Sequence, residues 1–223
     1  MDPDLPFKEI VDLSVPMKSQ GTAVFPGYPM PFKSTMTTLK DTGWLSYLWV
    51  FVEHSGTHVD APIHVIDGGT PVDKVPLGTY VAKGAVLDLT SKKPHSSITD
   101  ADIDSGLKQA GLQGKVGKGW VLLLQTGWTS KAMTPEWLEY PELTVGACKA
   151  IVKLGVNAVG LDSPSPDYAP LASHKVLLAE GIGIFENLAN LEKVMGKDFI
   201  FVGAPLPLVD GSASPVRAFA LVR

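Results

Sequence analysis

His54-Ser55-Gly56-Thr57-His58-Val59-Asp60-Ala61-Pro62-Ile63-His64 gathers three of the chain's five histidines and a carboxylate within eleven residues. Neutral imidazole nitrogen and carboxylate oxygen are the donors that suit zinc, manganese or iron in a catalytic site, where three protein ligands leave a position open for water. All four side chains stand at even positions. Successive side chains of an extended chain alternate faces, so 54, 58, 60 and 64 would share one face, whereas in a helix 58 and 60 would point nearly opposite ways. The segment is therefore predicted to be extended. A straight strand rises about 3.3 Å per residue, which would hold His54 and His64 roughly 33 Å apart, so the chain has to turn between them. Gly56 tolerates positive φ and Pro62 fixes φ, and these two residues permit the turns. An isolated histidine is ordinarily a core or surface residue. Three imidazoles and an aspartate on one face would repel when protonated and cost desolvation when buried without a partner, which favours a metal.

Outward from this stretch, Leu45 to Glu53 is rich in aromatic and β-branched residues and reads as a strand feeding into it. Tyr47, Trp49 and Phe51 fall on one face and Leu48, Val50 and Val52 on the other, so the pattern predicts a central strand buried on both sides. Pro16 to Pro31 reads as a long irregular loop, of the kind that in compact domains is usually functional or disordered. Glu53 and Asp67 are further carboxylates nearby, but Glu53 has the wrong parity and Asp67 belongs to the turn Asp67-Gly68-Gly69-Thr70.

The rest of the chain alternates strand and helix. Ile10 to Leu13, Gly84 to Leu89, Trp120 to Gln125, Ala158 to Asp162, Gly183 to Asn187, Phe199 to Ala204 and Ala218 to Val222 have strand character. Thr99 to Ala110 and Thr144 to Leu154 read as helices, the first with Thr99 as N-cap, acidic residues in its first turn and Gly111 at its end. A short helix is expected from Ser173 to Glu180, with Ser173 as its cap and His174 in its first turn. This order argues an α/β class, a single domain over residues 1–223 with a mixed central sheet flanked by helices. His95 reads as a surface loop residue.

Composition narrows the function. Of 223 residues, 45% are hydrophobic and 19% charged, which is globular. A formal net charge of -4 gives no sign of a nucleic-acid or anionic-membrane surface. No apolar run reaches the length of a membrane helix, and the acidic, proline-punctuated start from Met1 to Pro6 has no secretory-signal character. The single cysteine, Cys148, is expected to be a buried structural thiol, and a reducing cytoplasm is the simplest compartment.

The run from His54 to His64 resembles the His-x-Gly-Thr-His-x-Asp-x-Pro-x-His signature of the cyclase family of metal-dependent hydrolases, which includes bacterial kynurenine formamidase and isatin hydrolase. The likeness extends to Asp12-Leu13-Ser14, Gln125-Thr126-Gly127-Trp128, Gly160-Leu161-Asp162-Ser163-Pro164-Ser165, the pair His174 and Glu186, and Gly211-Ser212 through Pro215-Val216-Arg217. It implies that His54, His58 and Asp60 hold a divalent metal, zinc or manganese, and that His64 is the catalytic histidine. In members with two ions Asp60 bridges, and His174 and Glu186 hold the second. The family commonly has an acidic residue where this chain has Tyr28, a departure that bears on the substrate pocket. The resemblance also implies a homo-oligomer, dimer or tetramer, and the sheet architecture of that family, a swivelling β/α/β type.

The expectation is a hydrolase that cleaves a carbon-nitrogen bond of a small aryl formamide or cyclic amide. Phe25, Tyr28 and Trp44 are candidate ring-stacking residues. A lactone or other small-ester hydrolase using the same site, and a metal-binding protein without turnover, are the alternatives.

Overall fold

Trp120 to Gln125 shows how the sheet is built, since every other residue of this continuous apolar run packs into a different core. Val121 and Leu123 enter one cluster, and Leu122 and Leu124 the other. A strand buried on both faces reads in this way, and each fully buried Leu or Val contributes about 1.5 to 3 kcal/mol relative to exposure.

The computed structural model describes residues 6–223, so nearly all of the acidic start read from the sequence lies outside the described residues. Along them run strands β1 (Glu9–Asp12), β2 (Phe32–Thr37), β3 (Ser46–Val50), β4 (His58–Asp60), β5 (Val81–Asp88), β6 (Ser97–Ile98) and β7 (Trp120–Gln125). These are followed by β8 (Glu142–Leu143), β9 (Ala158–Leu161), β10 (Gly183–Glu186), β11 (Phe199–Val202), β12 (Ala213–Pro215) and β13 (Phe219–Val222). The helices are α1 (Leu39–Thr42), α2 (Asp100–Gln109), α3 (Val145–Leu154) and α4 (Ala172–Ala179). Nine strands form one sheet in the order β1-β13-β11-β5-β7-β9-β10-β4-β12. Its centre, β5-β7-β9-β10, is parallel and its flanks are antiparallel, so the mixed α/β sheet expected from the sequence is present.

Helices α2, α3 and α4 cover one face, placing Ile103, Leu107, Ile151, Leu177 and Leu178 against Leu87, Leu122, Leu124, Val159 and Ile184. The other face curls around Val59, Leu123, Phe185, Phe199, Phe201 and Ala220. The close approach there requires glycine at 160, where an added Cβ would stand 2.6 Å from Leu188 and 2.7 Å from Leu123. Helix α2 begins as read, with Thr99 capping it and Asp102 closing a reciprocal box onto the Thr99 amide. Cys148 is buried on α3, and that burial pushes its thiol up to about 11.

Two expectations need correction. Ser46–Val50 is not a central strand: among the described residues β3 pairs only with β2, and Trp44, Leu48 and Val50 are 61%, 47% and 53% exposed. Both edges of β4 are occupied by β10 and β12, so no place in the main sheet adjoins the signature for β3 to fill. Alternating apolar residues mark two apolar faces, but they do not say whether a sheet or an open surface receives them. The second correction is at α4, which starts at Ala172 with Leu171 as an N-cap in left-handed conformation offering no side-chain bond. Ser173 lies inside the helix, and its hydroxyl donates to the carbonyl of Leu143 at 2.7 Å.

Candidate metal centre

The signature turns as its glycine and proline suggest. Gly56 has φ +64°, His58–Asp60 is a short strand, and Pro62 opens a single 3₁₀ turn ending at His64. Strand alternation sends Val59 into the core while His58 and Asp60 face the other way. Across the ladder Glu186 pairs with His58, and Ile184 with Asp60, so Glu186 arrives beside His58 by register alone. His174 comes from the first turn of α4. Four of the side chains singled out from the sequence, His54, His58, His174 and Glu186, thus surround one carboxylate, Asp60, and His64 completes the group.

Asp60 has two sides. Its Oδ1 lies 2.9 Å from His54 Nδ1 and 3.4 Å from His58 Nε2, and its Oδ2 lies 3.5 Å from His174 Nε2. Glu186 spans the same two places, with Oε2 3.3 Å from His58 Nε2 and Oε1 3.4 Å from His174 Nε2. Donor atoms of His54, Asp60 and His64 lie within 4.8 Å of one another, as do those of His58, Asp60 and Glu186. His64 therefore stands within ligand range, its ring centroid 4.3 Å from that of His54 and 5.6 Å from that of His174.

The donor set fits a divalent ion. His58 Nε2 and both Asp60 carboxylate oxygens are buried without a hydrogen-bond partner among the described residues, a costly arrangement that a cation at their centre would resolve. Without a cation, protons balance the carboxylates. Burial alone would lower His58, but Asp60 and Glu186 outweigh it and push the imidazole up to about 10. His174 is likewise raised well above its ordinary value, because Asp167, Asp60 and Glu186 outweigh burial. Burial would raise Asp60, but His174, His54 and His58 hold its carboxyl well below the usual range. His64 moves the other way: burial, reinforced by the His54 and His174 imidazoles, keeps it below 6.5 against the pull of Asp60.

Neighbours outside this group fix the rings. His58 Nδ1 donates to the Gly56 carbonyl at 2.9 Å. His54 Nε2 is 3.1 Å from Ser212 Oγ, and that hydroxyl and the Ala213 amide donate to Glu53 Oε2 at 3.2 and 2.8 Å. The carboxylate with the wrong parity thus supports the site from behind.

A cavity of about 290 Å³ opens onto these groups, lined also by Phe25, Tyr28, Trp137, Ser165, Leu171 and Asn187. Phe25 and Tyr28 are where the sequence reading put them, with Tyr28 nearly parallel to the His54 ring at 6.3 Å between centroids. Trp44 is not: it projects from the β2–β3 ribbon into solvent and does not line the cavity. Trp137 carried no sequence signal beyond being aromatic, whereas Ser165 closes a motif already quoted and Asn187 adjoins Glu186. A larger cavity of about 770 Å³, beside Lys83, Lys115 and Lys197, contains no imidazole and lies apart from this chemistry. His95 is on the surface, as read, with Nδ1 3.3 Å from the Tyr168 hydroxyl.

Other quoted motifs hold the frame. Asp162 accepts from Thr126 N, Thr126 Oγ1 and Gly127 N at 2.7, 2.5 and 2.6 Å, tying the ends of β7 and β9 together. Asp12 pairs with Arg217 at 2.7 Å, and Thr57 Oγ1 accepts from Val15 N at 2.8 Å while donating to the Asn187 carbonyl at 2.6 Å.

A curled mixed sheet that presents imidazoles and carboxylates around a shared aspartate, beside a small aromatic-walled cavity, defines a metal-dependent hydrolase. The chain belongs to the family described as putative cyclase, whose model matches residues 11–168. It is 31% identical over 219 residues to the kynurenine formamidase of Bacillus cytotoxicus, an alignment covering 94% of this chain and 96% of that one. Among solved structures it is similar to an isatin hydrolase bound to the product analogue thioisatinate, with TM-score 0.85, 24% identity and coverage of 96% and 92%. It is also similar to a potential metal-dependent hydrolase with cyclase activity, with TM-score 0.77, 25% identity and coverage of 96% and 98%. No helix among the described residues is long and apolar enough to cross a membrane.

Proposed function

We propose that the chain hydrolyses a carbon-nitrogen bond, other than a peptide bond, in a small aryl formamide or cyclic amide, using zinc or manganese. The observation that carries this reading is the pair of half-sites sharing Asp60, unpartnered and buried, at the floor of a cavity walled by Phe25, Tyr28 and Trp137. His54, His58 and Asp60 would hold a first ion, and His174 and Glu186 together with Asp60 would hold a second. A bound divalent ion supplies a water of lowered pKa and polarises the substrate carbonyl. His64, neutral at pH 7, takes the proton from the attacking water as its oxygen bonds to the carbonyl carbon. The same imidazolium then returns that proton to the nitrogen as the carbon-nitrogen bond breaks. Phe25, Tyr28 and Trp137 exclude water and orient the ring of the substrate.

The test is a panel of N-formylkynurenine, isatin, aliphatic formamides and simple lactones, run on protein reconstituted separately with zinc and with manganese. Aryl amides are expected to lead in kcat/KM. Faster turnover of lactones would overturn the substrate class, and metal uptake without turnover of any of them would leave a binding protein.

The reading includes self-association as a dimer or tetramer. A two-stranded ribbon is marginal in water by itself, and here Phe32, Met36, Leu39, Trp44, Leu45, Tyr47, Leu48 and Val50 are all exposed on or beside it. Such side chains together present several hundred Å² of apolar surface, on the order of one partner's share of a stable interface. A reducing cytoplasm suits the buried lone thiol of Cys148.

A further inference from the structure

Asp167 has no part in the chemistry above, yet it is a buried carboxylate, 4% exposed, in direct contact with a proposed ligand. His174 Nδ1 donates to Asp167 Oδ1 at 2.5 Å. The Ser173 amide donates to Asp167 Oδ2 at 2.6 Å. The Asp167 carbonyl accepts from the hydroxyls of Tyr140 at 2.8 Å and Ser165 at 2.9 Å, so the residue is held at both its backbone and its side chain. One carboxylate oxygen therefore does for α4 what Leu171, its N-cap, is unable to do. The other oxygen faces the imidazole.

A neutral imidazole has one N–H and one lone pair, and which nitrogen carries the proton is set by the bond the other makes. With Nδ1–H committed to Asp167, the proton that His174 gives up on binding an ion leaves from Nε2, so the lone pair forms on the atom 3.5 Å from Asp60 Oδ2 and 3.4 Å from Glu186 Oε1. His58 and His54 have weaker partners in the corresponding place, a backbone carbonyl and a serine hydroxyl. We propose that Asp167 is a positioning residue that selects the second ion: it locks the tautomer and ring angle of His174 and so sets affinity at that half-site without touching the ion or the substrate. The proposal rests on the reading of His174 as a ligand of a second ion.

The experiment measures zinc stoichiometry by elemental analysis and the two dissociation constants by chelator competition, in the wild type, Asp167→Asn, Asp167→Ala, His174→Ala and the double variant Asp167→Ala/His174→Ala. Loss of such a partner typically weakens a site 10- to 100-fold. Asp167→Ala is expected to weaken the second ion by about that factor while leaving the first within about threefold, and Asp167→Asn, which keeps a neutral acceptor, is expected to lie between. If Asp167 acts through His174, the double variant binds the second ion no more weakly than His174→Ala alone. Retained second-ion affinity in Asp167→Ala with a lowered Tm would reduce Asp167 to a helix cap and overturn the proposal. Equal weakening of both ions would overturn it too, by assigning a general structural role. Should Asp167→Ala fail to fold, Asp167→Asn carries the same comparison. One ion in the wild type overturns the two-ion reading and this proposal together, whereas two ions in the wild type with unchanged affinities in the variants overturn only this proposal.

Discussion

Loading the ion-free protein with metal is expected to release protons, in a number that the site's geometry sets. In the ion-free state His58 is held up to about 10 and His174 is also raised well above its ordinary value, so both imidazoles are protonated at pH 7. Asp60 is already ionised, and His64 is already neutral. A ligand has to be deprotonated, so the first ion displaces one proton from His58 and the second one from His174. Affinity for the first ion is therefore expected to rise about tenfold per pH unit between pH 6.5 and 8, about 1.4 kcal/mol per unit. Titration calorimetry in buffers of different ionisation enthalpy counts the protons directly. The sign for stability is opposite in the ion-free protein. Imidazoles with raised pKa contribute stability that is complete below their unfolded value near 6.5 and is lost as pH rises through their folded values, towards 10 for His58. Ion-free Tm should thus fall from pH 6.5 to 9 while the stabilisation conferred by metal grows. Metal binding without proton release, with an affinity flat over this range, would refute the reasoning, because it would mean that the carboxylates are not balanced by imidazolium.

Four further outcomes follow from the site. His64→Ala should keep the first ion by elemental analysis and lose roughly 10²- to 10⁴-fold in kcat, and the wild-type rate should decline only below about pH 6.5 as His64 takes up a proton; loss of all metal would make His64 a ligand. Glu186→Ala should hold one ion where the wild type holds two, by the same analysis. Phe25→Ala and Tyr28→Ala should raise KM for aryl substrates more than they lower kcat, since stacking on a spectator ring is mostly uniform binding, and steady-state kinetics separates the two. Trp44→Ser combined with Val50→Ser should shift the assembly towards monomer in light scattering while leaving Tm of the main domain little changed.

Much of the candidate site was legible in the chain itself because its donor side chains are close in sequence: His54, His58, Asp60 and His64 sit within eleven residues, and parity with a glycine and a proline predicts the turn that brings them together. Apolar runs such as Trp120 to Gln125 likewise announced strands buried on both faces, since burial on two sides removes the need for alternation. For His174 and Glu186 the residues pointed nowhere by themselves and only the family likeness singled them out; ladder register and the first turn of α4 put them beside Asp60. Tertiary structure alone decided the place of Ser46–Val50, because apolar alternation is the same whether the receiving surface is the same chain or another. It also decided the positions of Trp137, Asp167, Ser212 and Glu53, whose contacts with the site or its rings join residues far apart in sequence or across a turn whose geometry no periodicity encodes. A candidate ligand can be read from residue type and spacing, whereas the group that bonds the far nitrogen of its ring is fixed by which loops the fold brings together.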